Sequence, residues 1–204
     1  MTLPLPSSSR NDRRQRIVLA ASQMFAERAY VEVQMDELAK AAEVAKPTIY
    51  RYFNSKEDLF LEALDGTMSE LVAEVSRVAD ESAPAPAVLR QMIAAALKSF
   101  AQCTAAIRAL DGTDAALGER GRAMLRRRGR QIREEFARVL QRGIAAQDFR
   151  GFDPDLASRA ILGAVRMTAT AEDAPNDAAA AHCLTDLLLH GVSAAGASTA
   201  RSQG

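Results

Sequence analysis

The chain of 204 residues is 48% hydrophobic, enough for a substantial core, but only 5% aromatic and without Trp, so Ala-rich helices packing through small side chains are expected in place of sheet. Basic and acidic residues both number 26, so formal net charge is zero and any nucleic-acid-binding surface has to be local, offset by acid elsewhere. No stretch reaches 18 consecutive apolar residues, which excludes a membrane-spanning helix and points to a soluble, cytoplasmic, all-α protein.

Residues 1–9 carry Pro4 and Pro6 between single leucines, lack a signal-peptide core and read as a disordered arm. Arg10, Arg13, Arg14 and Arg16, opposed only by Asp12, precede the stripe Ile17, Ala20, Ala21, Met24 and Phe25 of a first helix. Cations at a helix N-terminus oppose its dipole. The cluster is therefore either a solvated helix start or an arm toward phosphates or the minor groove. Met35, Leu38, Ala39 and Ala42 then recur at helical spacing, and Val44 and Ile49 lock a second helix across them, the pattern of a helix-turn-helix. The outer face of that second helix offers Lys46, Thr48, Arg51 and Tyr52, a set suited to phosphates and base edges. Of the four lysines, Lys40, Lys46 and Lys56 all fall in this stretch.

Ser55, with Asp58 three residues on, caps a fourth helix that runs to about Asp80 along Leu59, Ala63, Leu71, Val75 and Val78. Ala83-Pro84-Ala85-Pro86 breaks it. Leu89, Met92, Ile93, Ala96 and Phe100 mark a fifth helix, and a short sixth ends before Asp111-Gly112-Thr113. Residues 119–146 form a long helix whose Arg126, Arg127, Arg128 and Arg130 are spread around the axis and read as ion-paired surface, with Glu134 and Glu135 nearby. Asp153 and Pro154 supply a cap and a first helical residue for the next helix, where Ala160, Gly163 and Ala164 let a partner helix approach closely. Pro175 and Asn176 break the chain before a last helix over 178–192 and a frayed tail. Cys103, Cys183, His182 and His190 show no metal-ligand spacing; reduced buried thiols are expected, with redox sensing the alternative. There is no Gly-rich phosphate loop, nucleophile motif or metal cluster, so neither an enzyme nor a resident cofactor is expected.

The run from Phe25 to Tyr30, then Leu38-Ala39, Ala42-Glu43-Val44, Lys46-Pro47-Thr48-Ile49-Tyr50, Tyr52-Phe53 and Lys56-Glu57-x-Leu59-Phe60, resembles the N-terminal domain of TetR-family transcriptional regulators over residues 13–62. Three departures stand out: Ala29 for Gly before the aromatic, Glu43 for Gly in the turn, and Gln34 for a Ser or Thr cap. A non-Gly residue at position 43 costs about 1 kcal/mol if the turn needs positive φ.

The resemblance implies about nine helices, with a helix-turn-helix DNA-binding domain over 10–55, a ligand-binding and dimerisation domain over 56–195 and a tail over 196–204. It implies a homodimer on a pseudo-palindromic operator, repressing by default and released by a small-molecule effector. Lys46 and Arg51 are then candidates for base edges and Pro47 for a thymine methyl; Gln34, Thr48, Tyr50, Tyr52 and Lys56 are candidates for phosphates, with Tyr50 and Phe53 alternatively core. Asp36 occupies a position that in some members of that family reads bases, and an acid at a helix N-terminus is read here more simply as complement to the dipole. Met68, Leu71, Phe100, Met124 and Met167 are candidates for an effector pocket, with Arg108 and Arg166 as anchors for an acidic ligand and plain core or surface as the alternative. Ile161, Ala164, Leu184, Leu187 and Leu188 are candidates for the dimer interface, with burial within the monomer as theirs. The competing function is a helical sensor or adaptor that keeps the fold and acts through a protein partner.

Overall fold

The computed structural model describes residues 10–102, 118–170 and 178–190. These form eight α-helices: α1 (Arg10–Glu27), α2 (Met35–Ala41), α3 (Lys46–Tyr50), α4 (Lys56–Ala79), α5 (Ala85–Gln102), α6 (Gly118–Ala145), α7 (Pro154–Thr170) and α8 (Ala178–His190). No strand occurs among the described residues. The short helix expected before Asp111, and with it Cys103 and Arg108, lies outside the described residues.

The start signals read from the sequence act as expected. Ser55 Oγ accepts the Asp58 N–H at 3.0 Å, opening α4. Asp153 Oδ1 accepts the N–H groups of Asp155 and Leu156 at 2.9 and 3.3 Å, opening α7 at Pro154. One cap comes from far along the chain: Asp148 Oδ2 accepts the Ala85 N–H at 3.2 Å, so the loop after α6 starts α5.

One hydrophobic cluster runs from Ile17 on α1 to Leu184 on α8. Its axis is α4, whose first turns pack Phe60 edge-on against Phe25 (centroids 4.8 Å apart) and Tyr30 (5.0 Å). Its later turns bury Met68, Leu71, Val75 and Val78 against the C-terminal helices.

Along the surface, α4 and α6 lie parallel and are tied at successive levels. Asp58 meets Arg120 at 2.8 Å, Asp65 takes Arg128 Nε and Nη2 at 2.8 and 2.9 Å, Ser76 Oγ donates to Glu135 at 2.9 Å, and Asp80 meets Arg138 at 2.8 Å. Arg126, Arg127 and Arg128 of the α6 run are thus ion-paired, Arg126 with Glu119 at 2.6 Å and Arg127 with Asp65 at 3.5 Å. The two-pronged bond from Arg128 holds the Asp65 carboxyl below the usual carboxylate range. No helix among the described residues is long and apolar enough to cross a membrane.

Two helices end in the same backbone device. After α2, Val44 N–H donates to Ala39 O at 2.9 Å and Glu43 N–H to Lys40 O at 3.1 Å, with Glu43 at φ 54°. After α6, Asp148 N–H donates to Gly143 O at 2.9 Å and Gln147 N–H to Ile144 O at 3.1 Å, with Gln147 at φ 63°. Both are Schellman turns with a left-handed residue that is not glycine. At the second, Gly143 is required for space: the Phe149 ring and the Ala85 methyl occupy the volume a Cβ would fill.

Candidate nucleic-acid interface

Residues 35–53 build the interface by ordinary packing. Met35, Leu38, Ala39 and Ala42 turn inward, and Ile49, fully buried, pins α3 across α2; burying such a side chain is worth roughly 1.5–3 kcal/mol. Phe53 joins this core, while Tyr50 is exposed, which divides the two aromatics left open by the sequence. The left-handed Glu43 turns the chain between the helices, as anticipated for a position usually held by Gly. Gln34 stands exposed at the N-cap of α2, and its N–H donates to Glu37 Oε2 at 3.4 Å. Glu37 also takes Arg28 Nη1 at 2.9 Å.

Lys46, Pro47, Tyr50 and Arg51 are exposed; Thr48 and Tyr52 are half-buried. Lys46 Nζ lies 3.0 Å from Asp36 Oδ2, and this hydrogen bond raises the lysine's proton affinity. Lys56 lies over the Tyr30 ring, 4.4 Å from its centroid, with its pKa lowered by burial; of the phosphate candidates it is the one folded back onto an aromatic ring.

The basic cluster of α1 sits beside this surface. Arg10 lies 6.0 Å from the Tyr52 ring centroid and Arg14 5.3 Å from that of Phe53. Arg10, Asn11, Arg14, Arg51 and Tyr52 line a shallow cavity of about 430 Å³, large enough for phosphate groups. The sequence left Arg10 and Arg14 as either a solvated helix start or an arm toward DNA; the structure sets both beside the aromatic residues that follow α3. Arg14 also meets Glu62 at 2.9 Å, and Arg16 meets Glu43 at 3.8 Å.

Two family models match: that of the bacterial regulatory proteins, tetR family, over residues 17–63, and that of the tetracyclin repressor-like C-terminal domain over residues 82–170. The chain belongs to the TetR family. Residues along 91 positions are 35% identical to the HTH-type transcriptional activator FasR of Mycolicibacterium smegmatis, covering 45% of this chain and 40% of that protein. Over 75 residues the chain is 39% identical to the HTH-type transcriptional repressor KstR of Mycobacterium tuberculosis, covering 37% and 34%. The matches thus span less than half the length of these relatives. The fold is similar to that of the regulator FadR from Bacillus subtilis, solved in complex with stearoyl-CoA, with a TM-score of 0.73 at 23% identity, covering 88% of this chain and 99% of that one.

The TetR-family assignment extends to the C-terminal helices, where the structure regroups the candidates. Met68 and Leu71 are core residues of α4. Phe100 and Arg166 line one groove of about 230 Å³ between α5, α6 and α7, with Ile132, Arg133, Arg159 and Leu162. Met124 faces a different groove, against Leu61 and Asp65. Met167 is 65% exposed, on the opposite side of α7 from the core, which corrects its placement with the pocket set. A roomier cavity of about 660 Å³ lies between α7 and α8, lined by Leu89, Leu140, Phe149, Phe152 and Leu188, none of which was a pocket candidate from the sequence.

The interface candidates divide in the same way. Ile161 and Leu184 are buried in this chain's own core, which corrects their placement at a surface; Ala164 and Leu188 are half-buried and Leu187 is exposed. The uncovered stripe of α7 is instead Leu156, Ala160, Gly163 and Met167, and on α8 Ala179, Cys183 and Leu187 stand outward. The helical period was legible, but which of two apolar stripes faces the core depends on packing against α5 and α6, and the sequence alone does not choose.

Proposed function

We propose that the chain is a sequence-specific DNA-binding transcriptional regulator that acts as a homodimer and answers to a small-molecule effector. The observation that carries this reading is the exposed face of α3, with Lys46 and Arg51 outward, buttressed by Ile49 and flanked by the Arg10–Arg14 cavity. One helix of five residues reaches few base pairs, and two such helices about 34 Å apart on a dimer read successive major grooves. The outward stripe Leu156, Ala160, Gly163 and Met167, with Leu187 of α8, is the surface suited to a second copy. The Phe100–Arg166 groove, lined by Arg133, Arg159 and Arg166 beside Ile132 and Leu162, suits an effector with an apolar body and an acidic group. An effector acts through its different affinity for the DNA-fitting and non-fitting states. FasR is named an activator and KstR a repressor, and reporter transcription decides which output applies here.

The test is a gel-shift titration against the DNA upstream of the chain's own gene at several salt concentrations, followed by selection from random duplexes. Saturable binding that weakens steeply with salt is expected. Lys46→Ala should cost about 1–3 kcal/mol at the selected site and relax one base pair. Binding to no duplex in the selected pool at low salt would overturn the reading.

A further inference from the structure

Asp36 stands in the first turn of α2, yet its carboxylate is not spent on that helix. Glu37 takes the Gln34 N–H and Arg28, whereas Asp36 Oδ2 reaches across to Lys46 Nζ on α3 at 3.0 Å, with both side chains well exposed. An exposed pair of this kind contributes little to stability. An acid beside a phosphate-binding surface also weakens binding to every duplex, because it repels the backbone that the cations attract. Its presence on this face is useful where it discriminates between sequences.

The chemistry of the pair fits one base pair. Lysine has donors and no acceptor, and a carboxylate has acceptors and no donor. In the major groove a guanine–cytosine pair shows acceptors at guanine N7 and O6 beside a donor at cytosine N4. We infer that Asp36 and Lys46 form one reading unit for a guanine–cytosine pair in each half-site. Lys46 donates to guanine, while Asp36 accepts from cytosine N4 and keeps the ammonium from turning to the nearest phosphate. Asp36 is in this sense a specificity residue, a role beyond complementing the dipole of α2. The inference rests on the DNA-binding reading above.

The experiment uses the full chain. Sites are selected from random duplexes with the wild type, and fluorescence anisotropy then compares wild type with Asp36→Ala on the selected site, on its single base-pair variants and on an unrelated duplex. Equal melting temperatures establish that the variant is folded. The expected result is a guanine–cytosine pair whose discrimination falls roughly tenfold in Asp36→Ala, with binding to the unrelated duplex several-fold tighter and the other positions unchanged. Discrimination retained within twofold at every position, or a loss confined to an adenine–thymine pair, would overturn it. If the wild type selects no sequence at all, the DNA-binding reading itself fails and this inference with it.

Discussion

The reading head, α2 to α3, and the C-terminal half, α5 to α8, are held together by different means. In the reading head the devices named above are local: Gln34 and Glu37 at the start of α2, the left-handed Glu43 in the turn, and Ile49, buried eleven residues after Leu38. In the C-terminal half the ties join distant residues. Asp65 pairs with Arg128, Ser76 with Glu135, and Asp148 caps the helix that begins at Ala85. Local devices make the head's geometry a property of a short segment, while the other half takes its shape from the assembled whole.

The comparison is tested first where the long-range half is densest. Phe136 of α6 is fully buried, so Phe136→Ala should cost about 3–5 kcal/mol. Urea melts of the purified variant measure this, and a loss below 1 kcal/mol would show that α6 repacks freely and is not tied as described. Next, Gly143→Ala forces a methyl into the space of the Phe149 ring and the Ala85 side chain and should destabilise by about 1–3 kcal/mol. The same melts read it, and an unchanged midpoint would mean that the loop after α6 does not hold α5.

The local half offers the opposite sign. Glu43→Gly relieves a left-handed conformation and should raise stability by up to about 1 kcal/mol, leaving a 3.8 Å contact to Arg16 unmade. A loss of stability in thermal melts would contradict the strain assigned to the turn.

The smallest effect is a pH dependence. Arg128 lowers the folded pKa of Asp65, so the pair's contribution is complete above the unfolded carboxyl value, about 3.9, and is lost as pH falls through the lower folded value. Asp65→Asn should therefore lose less stability than the wild type between about pH 5 and pH 2, by up to about 1 kcal/mol. Parallel acid-limb slopes in urea melts would remove Asp65 from the tie between α4 and α6.

The same division explains what was legible in the sequence. The spacing of Leu38, Ala42 and Ile49, the Ser55 cap and the Asp153-Pro154 start are contiguous signals, and the structure carries each of them. Glu43 was recognisable as a strained turn residue because a Gly position was expected there; Gln147, with the same conformation, gave no such warning. The grouping of Phe100 with Arg133, Arg159 and Arg166 depends on three helices meeting, and nothing in their sequence separation predicts it. Leu187 and Met167 point outward while Leu184 and Ile161 point inward, a choice made by packing against α5 and α6 rather than by hydrophobic periodicity. The Asp36–Lys46 pair belongs to neither helix alone, and an acid in a first turn reads as dipole complement until its partner is seen.

The parallel alignment of α4 and α6 has a mechanical consequence. Sliding one helix along the other by a single turn, about 5.4 Å, would break the ties from Asp58–Arg120 to Asp80–Arg138 together. The two helices are therefore held to one another as a single arm. The 24 residues of α4 span about 36 Å, so a tilt of about 5° about its far end carries Lys56 and the reading head through about 3 Å. On the dimer proposed above, a rotation that small would set whether the heads keep the pitch of the double helix.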